Sequence, residues 1–245
     1  MTDLSTSNNN VGYLCTDWQV ERGLGAKTAL KLIDKDEILS EFSFAQLTEL
    51  SNQAANLLAS LGFQKDDRIM LFLSKTIEMY AFFLGALKLG LVSSILFNSI
   101  GEDSIIERIK DTETKAIIST SRMNFRLVKV LQKLDPSFKV LLVDESQSDG
   151  RFLGIRDQFA QASTSFVTPA TDPEQYSHFH FTSGSTGKPK AVQHCHAAII
   201  DHLRSFEEVM QAKPDELFWC TADPGWVTGT TYGIVAPWAS GLTQI

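Results

Sequence analysis

The segment Phe181-Thr182-Ser183-Gly184-Ser185-Thr186-Gly187-Lys188-Pro189-Lys190 gathers two glycines, four hydroxyl side chains and two lysines within ten positions. Glycines let a backbone turn tightly and bring its N–H groups against an anion, hydroxyls donate further hydrogen bonds, and ammonium groups supply charge. A polyphosphate is what such a loop would hold. The spacing differs from that of the nucleotide-triphosphatase P-loop, because Gly184 and Gly187 are three positions apart and Lys188 is followed by Pro189, where that motif requires G-x-x-x-x-G-K-[ST]. On composition alone a flexible Ser/Gly linker competes with the phosphate loop.

A second concentration of reactive side chains lies around it. All five histidines, His178, His180, His194, His196 and His202, fall between positions 178 and 202, with Cys195 and Asp201 close by. Two H-x-H pairs on strands would each face one side and, with Cys195, could offer a zinc or other transition-metal site. Against this, the spacing matches no structural zinc pattern. A helix expected to start at His194 would splay His194 and His196 by about 200°, so no metal ligand is assigned. Further on, Trp226 follows a turn at Asp223-Pro224-Gly225, and on the residues alone it reads as a core aromatic after that turn.

The elements that must position these residues are legible in the hydrophobic pattern. Between Phe44 and Leu61, Leu47, Leu50, Ala54, Leu57, Leu58 and Leu61 recur at helical spacing, and Gly62 ends the run. The uniformly apolar Ile69–Leu73 is too short for a helix and predicts a strand buried on both faces. Alternation continues with a helix over Ile77–Leu89 closed by Gly90, a strand near Val92–Phe97, a helix over Glu102–Lys110 and a strand at Lys115–Ser119. A helix over Asn124–Leu134, a stop at Pro136 and a strand at Lys139–Val143 complete the series. Strands alternating with helices imply βαβ units, and the fold class is α/β, with parallel sheets flanked by helices. From Asp144 to Pro173 the chain turns polar, which predicts a long surface connection between a lobe at 11–143 and a region at 174–245. His178-Phe179-His180-Phe181 then alternates as a strand does. No repeat of 20 to 50 residues is visible.

Composition narrows the classes of function. The 245 residues are 43% hydrophobic and 21% charged, with 22 basic against 29 acidic side chains and a net charge of −7. The basic residues are scattered singly, so nucleic acid is not an expected partner. Cys15, Cys195 and Cys220 are odd in number and far apart, the first ten residues form a polar tail, and no apolar run approaches the length of a membrane span. A cytoplasmic protein without a disulfide framework or a membrane partner is expected.

FTSGSTGKPKAV closely resembles the phosphate-binding signature of the adenylate-forming superfamily, with Ala191 where glycine is usual. Downstream, AVQHCHAAII and LFWCTADPGWVTGTTYGIVAPWASG resemble the corresponding stretches of its acetyl-CoA synthetases. Upstream, FSFAQLTELSNQAANLLASLGFQKDDRI and LFNSIGEDSIIERIKDTETKAIIST resemble the same family's N-terminal region, so the likeness covers nearly the whole chain after the tail. The resemblance implies an incomplete N-terminal domain of the adenylate-forming fold. The implied reaction uses ATP with Mg2+ to make an acyl-adenylate from a short carboxylate such as acetate, and then transfers the acyl group to coenzyme A.

By that likeness Thr182, Ser183, Gly184, Ser185, Thr186, Gly187 and Lys188 would cradle the β- and γ-phosphates, with Lys190 at the far end of the loop. Trp226, Val227, Thr228 and His196 would line the acyl pocket. The family's adenine-binding, ribose-binding and C-terminal lysine motifs have no counterpart here. The ending Ala239–Ile245 reads as a strand cut as it begins, with unpaired edges beyond it. A fragment, half of a split enzyme completed by a second chain, and a non-catalytic phosphate-binding or metal-binding module are the resulting expectations.

Overall fold

A computed structural model of the chain describes residues 8–33, 36–183 and 189–245. Its centre is a seven-stranded sheet in the order β7-β6-β5-β3-β4-β8-β9. The strands are β3 (Arg68–Phe72), β4 (Val92–Ile95), β5 (Ala116–Ser119), β6 (Lys139–Leu142), β7 (Phe152–Gly154), β8 (Tyr176–Ser183) and β9 (Pro189–Cys195). All neighbours run parallel except β9, which is antiparallel to β8. The inner strands β3, β4 and β5 are buried almost throughout because helices cover both faces.

Local chemistry sets the helix ends. Ser43 caps the helix Phe44–Ser60: its hydroxyl accepts from Gln46 N–H at 3.2 Å, and Gln46 Oε1 accepts from Ser43 N–H at 2.9 Å. The helix Ile77–Leu89 ends at Gly90, whose φ of 82° suits glycine. This second helix is buried nearly all round, and it lies close enough to the first that a Cβ on Gly85 would meet the Ser51 carbonyl at 2.5 Å. The helices Glu102–Thr112 and Asn124–Leu131 cover the other face, burying Ile105, Ile109, Leu127 and Val130 against Met70, Phe72 and Val140.

The polar stretch 144–173 is more structured than its composition suggested. It contains β7 and a helix at Arg156–Gln161, and both of its flanks supply strands to the same sheet. Asn52, Gln53 and Asn56 donate to carbonyls between Ala160 and Ser165, fastening the stretch along the helix Phe44–Ser60.

A second sheet, in the order β10-β11-β1-β2, is built from β1 (Thr28–Ile33), β2 (Leu39–Ser43), β10 (Leu217–Phe218) and β11 (Thr243–Gln244). The last strand, expected to be cut as it begins, pairs on both sides, with Leu30 of β1 and with Leu217 and Phe218 of β10. Trp238 is fully buried and donates through Nε1 to the Ala29 carbonyl at 2.9 Å, which joins the helix Ala236–Ala239 to β1. Among the described residues no helix is long and apolar enough to cross a membrane.

Candidate active site

The strongest sequence signal falls on a hairpin. β8 carries the chain to the candidate loop and β9 carries it back, with Phe181 opposite Ala191 and Thr182 opposite Lys190 in register. Gly184, Ser185, Thr186, Gly187 and Lys188 lie outside the described residues, as does the side chain of Ser183. The flanking positions are described: Thr182 and Lys190 are both exposed at the mouth of the loop. Below the mouth, Phe181 is buried under Arg108, whose guanidinium stands 4.6 Å from the ring centroid. Arg108, Glu107, Asp111 and Pro189 line a small cleft there.

The open end of the hairpin is the carboxyl end of β8, which runs parallel to β4. At that same end, just after β4, the ring of Phe97 packs on Trp226 with centroids 5.2 Å apart. In open α/β sheets the carboxyl ends of the strands are where ligands bind. Trp226 is 58% exposed, which overturns the expectation of a core aromatic, and Val227 and Thr228 beside it are exposed as well.

The turn that presents Trp226 is tightly bonded. Asp223 Oδ1 accepts from Gly225 N–H at 2.8 Å and the Asp223 carbonyl accepts from Trp226 N–H at 3.0 Å. Gly225 lies against Phe97 and Gly229 against the Asp223 carbonyl, with no room for a Cβ at either. Thr230 closes the turn by donating its hydroxyl to the Pro224 carbonyl at 2.6 Å, while His180 Nε2 approaches the same hydroxyl at 2.9 Å. Asp223 was marked in the sequence only as the start of a turn, and Phe97 and Thr230 were not singled out. The clearest signal for Thr230 was the Asp-Pro-Gly turn with a hydroxyl placed to close it.

The histidines are arranged differently from the sequence expectation. His194 lies on β9, not at the start of a helix, and helical structure resumes only at Ala198. It stands opposite His178 across the hairpin, and His178 and His180 share one face of β8. His196 does not join Trp226 at the pocket wall. It is fully buried, accepts from Val11 N–H through Nδ1 at 2.9 Å, and its own N–H donates to Gln175 just before β8. Those contacts hold it at the amino end of β8, whereas Trp226 packs beyond the carboxyl end of the neighbouring β4. Burial lowers the pKa of every histidine ring, that of His180 to about 3 and that of His196 to about 4, with neighbouring imidazoles adding to the effect at His178, His180 and His202.

Residues 17–245 match the model of a family described as AMP-binding enzyme. The chain belongs to this family. It is 34% identical to the acetyl-coenzyme A synthetase of Bacillus subtilis over 98% of its own length and 42% of that protein. It is 32% identical to the acetyl-coenzyme A synthetase of Mycolicibacterium smegmatis over 96% of its length and 27% of that protein. The crystal structure of a Brucella canis acyl-CoA synthetase superposes with a TM-score of 0.87 at 27% identity, covering 96% of this chain and 42% of the other. The anthranilate CoA ligase AuaEII, solved with anthranoyl-AMP, superposes with a TM-score of 0.85 at 20% identity, covering 96% and 44%, and is similar in fold. The chain thus spans between about a quarter and 44% of the proteins it resembles.

Proposed function

We propose that the chain supplies the pyrophosphate-holding loop and part of the acyl pocket of an AMP-forming ligase that joins a short carboxylate, acetate first, to coenzyme A. The observation that carries this reading is the shared edge: the mouth of the Thr182–Lys190 loop and the Phe97–Trp226 pair both lie at the carboxyl end of the parallel strands. Family membership and the names of the curated relatives support the same reaction.

The chemistry asked of these residues is electrostatic. When a carboxylate oxygen attacks the α-phosphorus of ATP, the bond to the β-phosphate breaks and negative charge builds on the departing pyrophosphate. Thr182, Ser183, Ser185 and Thr186 bring hydroxyl donors, Gly184 and Gly187 have no side chain to keep a phosphate from the backbone, and Lys188 adds a cation, so the group favours the state in which that charge has formed. Magnesium enters as the ATP chelate. Lys190 faces solvent opposite Thr182 and contributes to the field at the mouth. Trp226, Val227 and Thr228 form an exposed wall, and a bulky indole there limits the length of acid that fits. Coenzyme A is the acceptor, and no residue described here is assigned to it.

Acetate-dependent pyrophosphate release tests the proposal, measured on the chain alone and joined to the segment by which the curated relatives exceed it. Release that depends on acetate and requires the added segment is expected. ATP binding with no acetate-dependent release from the joined form would select a non-catalytic phosphate-binding module instead.

A further inference from the structure

We propose that His178, His180 and His194 form a binding site for a divalent transition metal of the zinc class, with water or His202 at the remaining position. One ring nitrogen from each of the three histidines lies within 4.8 Å of the other two. The hairpin assembles them: His178 and His180 are two residues apart on β8, and His194 is the cross-strand partner of His178 on β9. His202 closes the group from the helix Ala198–Met210, its ring centroid 5.8 Å from that of His194. Cys195 follows His194 along the strand and so faces the other side.

Hydrogen bonding fixes which nitrogens are available. Ser177 Oγ gives its proton to the His194 carbonyl at 3.0 Å, so it must accept from His178 Nδ1–H, 2.9 Å away. This leaves His178 Nε2 as a bare lone pair. Thr230 Oγ1 likewise gives its proton to the Pro224 carbonyl and must accept from His180 Nε2–H, which leaves His180 Nδ1 bare. A neutral imidazole has one donor and one acceptor nitrogen, and here both donors are used by neighbouring hydroxyls. His178 Nε2 and His180 Nδ1 are both buried without a hydrogen-bond partner among the described residues, in side chains only 2% and 4% exposed. Two orphaned acceptors in one buried cluster are costly unless something occupies them.

A metal ion satisfies both. The hydroxyls of Ser177 and Thr230 then serve as outer-shell acceptors that hold each ring in its ligating tautomer, the usual arrangement around histidine ligands. Zinc–nitrogen bonds of about 2.0–2.1 Å in a tetrahedron place the nitrogens about 3.3 Å apart, so the cluster must contract slightly on binding. His194 supplies the movement. Its ring is half-buried and stacked parallel to His178 with centroids 4.8 Å apart, so it is the least confined of the three and leaving the stack is the adjustment that binding requires. An all-imidazole set suits zinc, copper and nickel rather than magnesium or calcium, which distinguishes this site from anything that accompanies ATP.

The test is Zn2+ binding by the metal-free chain, read by equilibrium dialysis, with Co2+ as a spectroscopic probe. One Zn2+ per chain is expected, together with a visible Co2+ absorption that Zn2+ abolishes. His180→Ala and His194→Gln should each weaken binding by more than about tenfold, whereas Cys195→Ser should bind as the unaltered chain does. His194 is only half-buried, so its variant remains informative if His180→Ala fails to fold. Absence of Zn2+ binding by the folded chain, wild-type affinity in folded His194→Gln, or loss of binding in Cys195→Ser would overturn the assignment. The outcome does not depend on pyrophosphate release, so this site and the proposed reaction can fail separately.

Discussion

His180 Nε2 donates to Thr230 Oγ1 at 2.9 Å, and that hydroxyl passes its own proton to the Pro224 carbonyl. The strand that leads into the candidate phosphate loop is thereby bonded to the turn that presents Trp226. Thr230→Val preserves the shape of the side chain while leaving a buried donor and a buried carbonyl without partners. A loss of about 1–3 kcal/mol in unfolding free energy is expected, read from denaturant midpoints. An unchanged midpoint would show that the bond does not hold the turn.

Trp226 should govern selection of the acid far more than stability. Its ring is exposed apart from the Phe97 contact, so Trp226→Ala should destabilise the chain by no more than about 1.5 kcal/mol. In the joined, active form the ratio of kcat/KM for butyrate to that for acetate should rise about 10-fold or more, the scale on which pocket space discriminates a methylene or two. A ratio that stays constant would place the acyl wall elsewhere.

Gly85 is a packing requirement between the helices Phe44–Ser60 and Ile77–Leu89. A Cβ there would stand 2.5 Å from the Ser51 carbonyl and 2.7 Å from Ala54 Cβ, and neither neighbour can move without displacing its helix. Gly85→Ala should therefore cost about 1–3 kcal/mol despite alanine's better helix propensity. A stabilised variant by thermal melting would contradict this packing.

Lys88 is fully buried, with its ammonium 2.7 Å from Asp17 and 2.7 Å from Asn52 Oδ1. Burial pulls its pKa from the ordinary 10.5 down to about 8, although Asp17 opposes the change. Between those values the unfolded chain holds a proton that the folded chain has released, so stability from this group rises with pH across the window from about 8 to 10.5. Relative to Lys88→Met, the unaltered chain should gain up to about 1.4 kcal/mol per pH unit there, with no relative slope below it. Parallel denaturation curves for the two proteins check the difference; a gap that narrows as pH rises would reverse the sign.

The inner strands of the central sheet were legible because they are short apolar runs between helices, as at Ile69–Leu73 and Gly90, whereas its edge strands β7 and β9 were not foreseen. Nor was the second sheet. β10 and β11 are two residues each, β2 is largely exposed, and their order depends on pairs as remote as Leu30 and Gln244. The candidate phosphate loop announced itself by composition, but the placement of the histidines around it did not. His194 is on a strand because β9 pairs with β8, and His196 is claimed by Val11 from the far end of the chain. Both are long-range facts that local periodicity does not contain. Read from the residues alone Trp226 passed for a core aromatic, because local sequence does not show whether an indole fills an interior or lies at a strand edge; only the family likeness set it at a pocket.

Mg·ATP titration of the chain and of Lys188→Ala, followed by calorimetry, tests the phosphate role of the loop most directly. The account predicts measurable binding by the unaltered chain and a loss of about tenfold or more in the variant, the scale of one charge-assisted hydrogen bond. Equal affinity in the two proteins, or no binding by the unaltered chain, would contradict it.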